Sequence, residues 1–132
     1  MLQKTITMKF RVARHTNNLE KLKTFYTNLL GLEVLGSFEN HDNYDGIFIG
    51  KQNLDWHLEF TKSDEIVEFN FNEDDILVFY PETEIEYDTL IENVIKNNIN
   101  FIESKNPYWN QNGKMILDPD GYRIIISNLK VK

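Results

Sequence analysis

The first part of the chain shows two periods in its hydrophobic pattern. Residues 6–16 (ITMKFRVARHT) are rich in β-branched and aromatic residues and alternate along the chain, which predicts a strand. Alternation assigns its side chains to two faces, Phe10 and Val12 to one and Arg11, Ala13 and His15 to the other. Apolar residues then recur at helical spacing between Asn18, a favourable N-cap, and Gly31, a favourable helix stop. The chain is therefore predicted to begin with a strand and an amphipathic helix.

Three short runs with strand character follow this helix. They lie at 32–38, 44–50 and 56–61, and Gly, Asn and Asp residues between them mark turns. Residues 62–74 are polar and lack a strong apolar period, so we predict a loop there, with room for a short strand at 66–71. The first half of the chain is thus predicted to have the order β, α, β, β, β.

The same order of elements returns in the second half. A strand-like run at 75–80 is followed by a helical stripe from Tyr87 to Ile95. Further strands are predicted at 98–104, 114–117 and 121–127, the last two joined by a DPDG turn. Because the two halves match element by element, the sequence indicates an internal duplication.

The duplication predicts a fold. We expect an α+β protein made of one domain, residues 1–132, with two βαβββ repeats at about 8–62 and 73–128. Each repeat has one sheet face for its helix and leaves the other face without cover. Pairing the two repeats into a curved eight-stranded mixed sheet, with the helices on the convex side, solves this problem for both. The concave side is then left for a ligand.

The composition excludes several kinds of function. A net charge of -7 repels a phosphate backbone, so nucleic acid is not expected as a partner. The chain has no cysteine, which excludes disulfides, thiolate nucleophiles and cysteine-bound metals. Because there is neither a signal peptide nor an apolar run of about 20 residues, we expect a cytoplasmic protein that does not enter a membrane.

Ionisable residues collect on the predicted face opposite the helices. Alternation places there Arg11, Ala13 and His15 from the first strand, His57 and Glu59 from the fourth, Asp75, Leu77 and Phe79 from the fifth, and Arg123, Ile125 and Ser127 from the last. So many ionisable groups on one face are more typical of a wet pocket than of a sealed core.

Several residues in these strands have a chemistry that suits a ligand. His15 and His57 are candidate general bases because imidazole titrates near neutrality, and Glu59 is a third candidate for acid–base work. Arg123 is a candidate for binding an anion. An aromatic wall for the ligand is expected from Trp56, Phe79, Tyr80, Tyr108 and Trp109. For each of them a purely structural role remains the alternative.

Three segments carry a resemblance to a known family. NNLEKLKTFYTNLLGLEVL (17–35), HLEFT (57–61) and ILDPDGYRIIIS (116–127) resemble, in order and spacing, the vicinal oxygen chelate superfamily of glyoxalase I, ring-cleaving dioxygenases and bleomycin-resistance proteins. The resemblance extends from about Phe10 to Asn128. It implies a divalent metal held by four His or Glu side chains, one from the first and one from the last strand of each repeat, and a homodimer.

The four metal-ligand positions of the family, here termed the corner positions, fall on Arg11, Glu59, Asp75 (or its neighbour Asp74) and Ile125. Only Glu59 matches the family pattern, because a guanidinium is a pure donor and isoleucine has no donor atom. No cofactor is therefore expected, although two carboxylates and water leave weak binding of a divalent metal open. We expect the guanidinium of Arg11 to take the place of the cation and to pair with Glu59. A structural ion pair that permits burial of both charges is the alternative.

Three functions agree with these observations. The first is a small-molecule binding protein of the glyoxalase/bleomycin-resistance type with a degenerate metal site, and we rank it first. The second is a metal-dependent glyoxalase-like lyase or isomerase, or a ring-cleaving dioxygenase, which the loss of corner positions disfavours. The third is a metal-independent acid–base enzyme that uses His57 or His15 with Glu59.

Overall fold

The first repeat forms four strands and one helix in the structure, a computed structural model that describes residues 5–131. The side chain of Asn18 accepts a hydrogen bond from the backbone N–H of Lys21 at 3.0 Å, and this cap begins the helix. The helix widens into a π-helical turn before Gly31, whose φ of 73° ends it. The elements are β1 (Phe10–His15), α1 (Leu19–Thr24) with the π-helical turn (Phe25–Leu29), β2 (Glu33–His41), β3 (Tyr44–Gly50) and β4 (Trp56–Lys62).

The second repeat follows the same plan with one change. Thr83 caps its long helix by accepting a hydrogen bond from the N–H of Glu86 at 3.1 Å, and Asn98 follows the helix with a φ of 56°. A short additional helix takes up part of the segment that was predicted to be extended. The elements are β5 (Ile76–Phe79), α2 (Glu84–Lys96), α3 (Pro107–Gln111), β6 (Gly113–Leu117) and β7 (Arg123–Ser127).

The strands form two sheets with the same internal order. The first sheet has the order β1-β4-β3-β2 and the second has the order β5-β7-β6. In each sheet the first strand of the repeat pairs in parallel with the last, whose other neighbour is antiparallel. The predicted α+β fold with mixed sheets is therefore confirmed.

The strand predicted at 98–104 is reduced to a single bridge, between Ile102 and Met115. The side-chain amide of Asn110 accepts a hydrogen bond from the N–H of Ser104 at 2.7 Å and donates one to its carbonyl at 3.0 Å. These bonds use both backbone groups of Ser104, so the chain turns into α3 instead of extending the sheet. The described residues therefore contain seven strands, one fewer than predicted.

The core lies between the helices and one face of each sheet. Leu58 and Phe60 of β4 and Ile124 and Ile126 of β7 are buried in it. Helix α1 contacts β3 and β4, whereas α2 contacts β7 and the π-helical turn. One face of each sheet is thus available to the helices, and the opposite face is the place to search for a site.

The register of β5 corrects one prediction about these faces. Val78 lies beside Ile125 in the parallel pair of β5 and β7, and Leu77 lies beside the buried Ile124. Leu77 and Phe79 therefore pack against the core on the helix side. The prediction that these two residues lie opposite the helices is wrong. All four residues of β5 are apolar, so their order along the chain does not reveal which of them face the core.

Candidate functional site

Three charged or titratable side chains meet on the face of the first sheet opposite the helices. Parallel pairing of β1 with β4 places Arg11 beside His57 and Ala13 beside Glu59. The guanidinium of Arg11 donates from Nε to Nε2 of His57 at 3.1 Å. It also donates from a terminal nitrogen to Oε1 of Glu59 at 3.0 Å, so the expected ion pair is present. Arg11, His57 and Glu59 are termed the Arg11 cluster.

An aromatic ring from the neighbouring strand supports the Arg11 cluster. Phe48 of β3 pairs with Glu59, and the guanidinium carbon of Arg11 lies 5.0 Å from the centre of the Phe48 ring. The same ring meets His57 edge-on, with 5.8 Å between ring centres. Cation–π attraction therefore helps to hold the guanidinium over the sheet. The Arg11 side chain is 50% exposed and that of Glu59 only 12%, so the cluster presents N–H groups above a mostly buried carboxylate.

His15 lies on the same face but has other partners. Its Nδ1 is 2.7 Å from the hydroxyl of Thr61, and its Nε2 is 3.1 Å from the hydroxyl of Ser63. Tyr44 packs edge-on against the ring, with 5.6 Å between ring centres. Both ring nitrogens of His15 are thus engaged, whereas Nδ1 of His57 has no hydrogen-bond partner among residues 5–131. Of the two predicted general bases, His57 is the one with a free ring nitrogen.

The corresponding face of the second sheet is covered. Ile125 is fully buried and Met115, its partner across the β6–β7 pair, is almost so, although neither belongs to the core on the helix side. Helix α3 contacts β6, and its Trp109 lines one cleft together with Ile76 of β5, so α3 lies over this face. The solvent-accessible face that was expected across both repeats is therefore closed to solvent at Ile125.

Arg123 and Asp75 have their contacts within the second repeat. A terminal nitrogen of Arg123 lies 3.8 Å from the carboxylate of Glu73. Asp75 is exposed and lies just before β5. Burial is the main cause that raises the pKa of Tyr122, and the negative charge of Asp75 raises it further. In the part of the chain that the structure describes, no hydrogen bond or ion pair joins Arg123 or Asp75 to the Arg11 cluster.

Strand register assigns the corner positions of the second repeat. Arg11 pairs with His57 in the first sheet, and Ile76 pairs with Arg123 at the equivalent point of the second sheet. The third corner position therefore falls on Ile76 instead of Asp75. Only one carboxylate, that of Glu59, remains among the four corner positions.

These residues do not fit a divalent metal. Neither a guanidinium nor a hydrocarbon side chain can donate an electron pair to a cation, and three of the four corner positions are of these kinds. Within residues 5–131, no three His, Cys, Asp or Glu side chains form a group that could hold a metal ion. A single carboxylate is too few ligands for a site held by the protein.

The aromatic residues of the predicted ligand wall divide between two clefts. Trp56, Phe79 and Tyr80 line an apolar groove of about 390 Å³ at the seam between the two sheets, where the rings of Trp56 and Phe79 are 6.1 Å apart. Trp109 lines a different cleft, of about 340 Å³. His57 also lines the groove, so the groove adjoins the Arg11 cluster. The wall is therefore not continuous, and only its first part lies near the cluster.

A second ionisable cluster lies in the interior and was missed in the sequence. Arg14 of β1 and the hydroxyl of Tyr26 both donate to Oδ2 of Asp118, at 3.0 and 2.7 Å. The N–H groups of Asp120 and Tyr122 donate to the other oxygen at 2.9 and 3.0 Å. Asp118 thus joins the first repeat to the β6–β7 turn of the second. The signal that could have revealed this cluster is an arginine on the apolar side of β1.

Burial is the largest cause of the pKa shifts of Tyr26 and Asp120. It raises the pKa of Tyr26 well above the usual range, and the charge of Asp118 raises it further. Burial also raises the pKa of Asp120, against the effects of the Thr16 hydroxyl and of Arg14. Oδ2 of Asp120 is buried without a hydrogen-bond partner among residues 5–131 and lies 3.7 Å from a terminal nitrogen of Arg14. Asp120 is therefore an incompletely satisfied carboxylate in the folded protein.

Replacing Asp120 with Asn is expected to raise the free energy of unfolding at pH 7 more than at pH 4. An acid whose folded-state pKa lies above its ordinary 3.8 stabilises the fold while protonated, and this contribution is lost as the pH rises through the folded-state pKa. Asn removes the charge and keeps the backbone bond to Asp118. Urea unfolding at both pH values measures the difference, with the exposed Asp64→Asn as control. Equal effects at the two pH values would contradict this assignment.

Family comparisons match both repeats. The YycE-like N-terminal domain matches residues 10–61, and the YycE-like C-terminal domain matches residues 74–128. The YycE protein of Bacillus subtilis (strain 168) is 36% identical over 123 residues, which cover 92% of this chain and 88% of the relative.

Solved structures extend the likeness to the fold. A YycE crystal structure from Bacillus subtilis, described as a candidate glyoxalase/fosfomycin resistance protein, has a TM-score of 0.84 at 34% identity and covers 96% of this chain and 93% of its own. The trypanothione-dependent glyoxalase I of Leishmania major has a TM-score of 0.69 at 20% identity, over 89% and 84% of the two chains. The fosfomycin resistance protein FosX of Mesorhizobium loti has 0.65 at 12%, over 99% and 95%. In the described part of this chain, no helix is long and apolar enough to cross a membrane.

Proposed function

The chain belongs to the YycE-like family of the vicinal oxygen chelate superfamily, and on this premise we propose that it is a small-molecule-binding protein with a degenerate metal site. The proposed site consists of the Arg11 cluster, the Phe48 ring and the adjoining apolar groove. Its ligand is a small organic molecule that binds without a divalent metal.

The observation that carries this proposal is the pair of hydrogen bonds from the guanidinium of Arg11 to His57 and Glu59. A metal at this site would need the carboxylate of Glu59, the one corner position with a suitable donor, as a ligand. Here a permanent cation already pairs with that carboxylate, and it cannot itself act as a ligand. Arg11 also lies 3.0 Å from Glu59 and balances its charge.

The groove supplies the apolar part of the site. Ligand pockets of about 300–1,000 Å³ are lined mainly by apolar side chains, with a few polar groups that fix orientation. The groove, at about 390 Å³, lies within that range and is lined by Trp56, Phe79 and other apolar residues. His57 lines the groove and also belongs to the Arg11 cluster, so the two are neighbours, although Trp56 and Phe79 of the groove pack against the core on the helix side.

The proposal includes a homodimer of single-domain chains in the cytoplasm. Ile6, Met8 and Phe10 are large apolar residues that are more than half exposed, and such a patch is typical of a contact surface. Phe10 also lines the groove. A second copy of the chain on this patch would therefore help to enclose the ligand.

A thermal-shift screen of the chelator-treated protein tests the proposed function. Cationic antibiotics, thiol conjugates, aromatic acids and small aliphatic acids represent the ligand classes. We expect at least one class to raise the melting temperature, since a ligand at 100 times its Kd contributes about 2.7 kcal/mol of stability. The shift should disappear in Arg11→Met and persist in Lys114→Met, which removes the same charge from an exposed position of β6. No shift with any class, or a shift only after a divalent metal is added, would contradict the proposal.

A further inference from the structure

We infer that the cleft beside α3 is a second binding site, and that its ligand is a neutral sugar, a pyranose ring with several hydroxyl groups. The cleft has a volume of about 340 Å³ and is termed the Trp109 cleft. Its lining consists of Trp109, residues 104–106, Glu73, Asp74 and Ile76. The three residues of the Arg11 cluster do not line it, so the inference goes beyond the proposed function.

Ser104 has a hydroxyl group that the chain itself does not use. The residue is only 6% exposed, and the side chain of Asn110 binds both of its backbone groups. The hydroxyl has no hydrogen-bond partner among residues 5–131, but its oxygen is not fully enclosed, and Ser104 lines the cleft. A buried polar group without a partner is costly. Because a hydroxyl both donates and accepts, the best partner for it is another hydroxyl, on a ligand in the cleft.

Trp109 gives the cleft a flat apolar wall. The ring of Tyr108 meets the indole ring edge-on, with 4.9 Å between ring centres, and so helps to fix its orientation. The electron-rich face of an aromatic ring attracts the polarised C–H bonds of a sugar ring. A pyranose has such an apolar face and carries hydroxyl groups around its edge. It therefore suits an aromatic wall with polar side chains beside it.

The other polar side chains of the cleft offer both donors and acceptors. The amide oxygen of Asn106 caps α3 by accepting from the N–H of Tyr108 at 3.1 Å, which leaves the NH₂ group of Asn106 for a ligand. The carboxylate of Asp74 can only accept a hydrogen bond, and the ammonium group of Lys105 can only donate one. Sugar hydroxyls can do both, so a single ligand can satisfy all three side chains.

The charges in and beside the cleft balance one another. Glu73 and Asp74 contribute two negative charges and Lys105 contributes one positive charge. Arg123, with a nitrogen 3.8 Å from Glu73, contributes the second positive charge. An anion or a cation would therefore meet like charge as well as opposite charge. Two carboxylates are too few to hold a divalent metal, and an apolar molecule would leave the Ser104 hydroxyl without a partner. A neutral polyhydroxylated molecule avoids these costs.

Proton–nitrogen correlation NMR on the whole chain tests the inference, because Trp56 and Trp109 are its two tryptophans and give two indole N–H signals. Trp109→Phe assigns them. The probes are D-glucose, D-galactose, D-mannose and N-acetyl-D-glucosamine, and the controls are cyclohexanol, glucose 6-phosphate and glucosamine. We expect at least one probe to shift the Trp109 signal in a saturable manner and to leave the Trp56 signal in place. That probe should bind at least about tenfold more tightly than each control, because cyclohexanol lacks the further hydroxyls and the other two meet like charge.

Ser104→Ala tests the hydroxyl. It should weaken the binding of the best probe about fivefold, the effect of one neutral hydrogen bond, and leave urea unfolding unchanged. Ser37→Ala, which removes a hydroxyl from an exposed position of β2, should leave the affinity unchanged.

Three results would overturn the inference. The first is that no probe shifts the Trp109 signal, and the second is that a control binds as tightly as the best probe. The third is that Ser104→Ala binds this probe normally or loses stability, since the hydroxyl would then have no role in the cleft or a role inside the chain. None of these results bears on the Arg11 cluster, which the thermal-shift screen tests separately.

Discussion

Replacing Asp118 with Ala is expected to lower the free energy of unfolding by about 3–5 kcal/mol, the cost of breaking a buried ion pair on one side. The change leaves the guanidinium of Arg14, which is 12% exposed, without its closest counter-charge. It also removes the acceptor for Tyr26 and for two backbone N–H groups of the β6–β7 turn. Small domains are stable by about 5–15 kcal/mol, so this loss is a large fraction of the total stability. Urea unfolding measures the loss.

Two further variants show whether the charge is the cause. Asp118→Asn keeps an oxygen for the turn and removes the charge, so its loss should be smaller than that of the Ala variant. Tyr26→Phe removes a single hydrogen bond. Its effect on the free energy of unfolding should not add to that of Asp118→Ala in the double variant, because the two side chains are in contact. A loss below about 1 kcal/mol in Asp118→Ala would show that Arg14 does not depend on this carboxylate.

Replacing Ile125 with Glu is expected to lower the free energy of unfolding by about 3 kcal/mol or more, because an unpaired charge would be buried. Glu at this position restores a carboxylate to the fourth corner position. Ile125 is fully buried against Met115 beneath α3, and the ion pair of Arg123 with Glu73 lies within the same repeat. The variant should therefore lose stability and gain no affinity for a divalent metal. Urea unfolding and a manganese titration give the two results.

Ile125→Val serves as the matched control. It removes one methylene group and keeps a hydrocarbon, so a loss of about 0.5–1.5 kcal/mol is expected. An Ile125→Glu chain that is as stable as Ile125→Val and takes up manganese would show that this corner position opens into the site. That result would contradict the covered face described for the second sheet.

The sequence predicted the first repeat better than the second because its strands have two unlike faces. In β4 and around Arg11 in β1, polar and apolar residues alternate, so Arg11 and Glu59 could be assigned to one face before their contact was seen. In β5 the four residues Ile, Leu, Val and Phe are all apolar. In such a run the two faces of the strand have the same polarity, so the sequence pattern does not tell them apart. Leu77 and Phe79 were therefore assigned to the wrong face.

Two other features depend on side-chain hydrogen bonds that the hydrophobic pattern does not reveal. Asp118 meets Arg14 across 104 positions of the chain, and the DPDG motif alone identifies only a turn. The strand predicted at 98–104 has suitable residues, but Asn110 binds both backbone groups of Ser104 and bends the chain away. Side-chain hydrogen bonds decided both outcomes, across 104 positions of the chain for Asp118 and across six for Asn110.

Calorimetric titration of manganese and zinc into the purified chain tests most directly whether the guanidinium of Arg11 occupies the position of the divalent metal ion of the superfamily. We expect no saturable one-to-one uptake of either ion, and the same result for Glu59→Gln. Saturable uptake of one ion per chain that is lost in Glu59→Gln would contradict it, because Glu59 would then be free to act as a metal ligand.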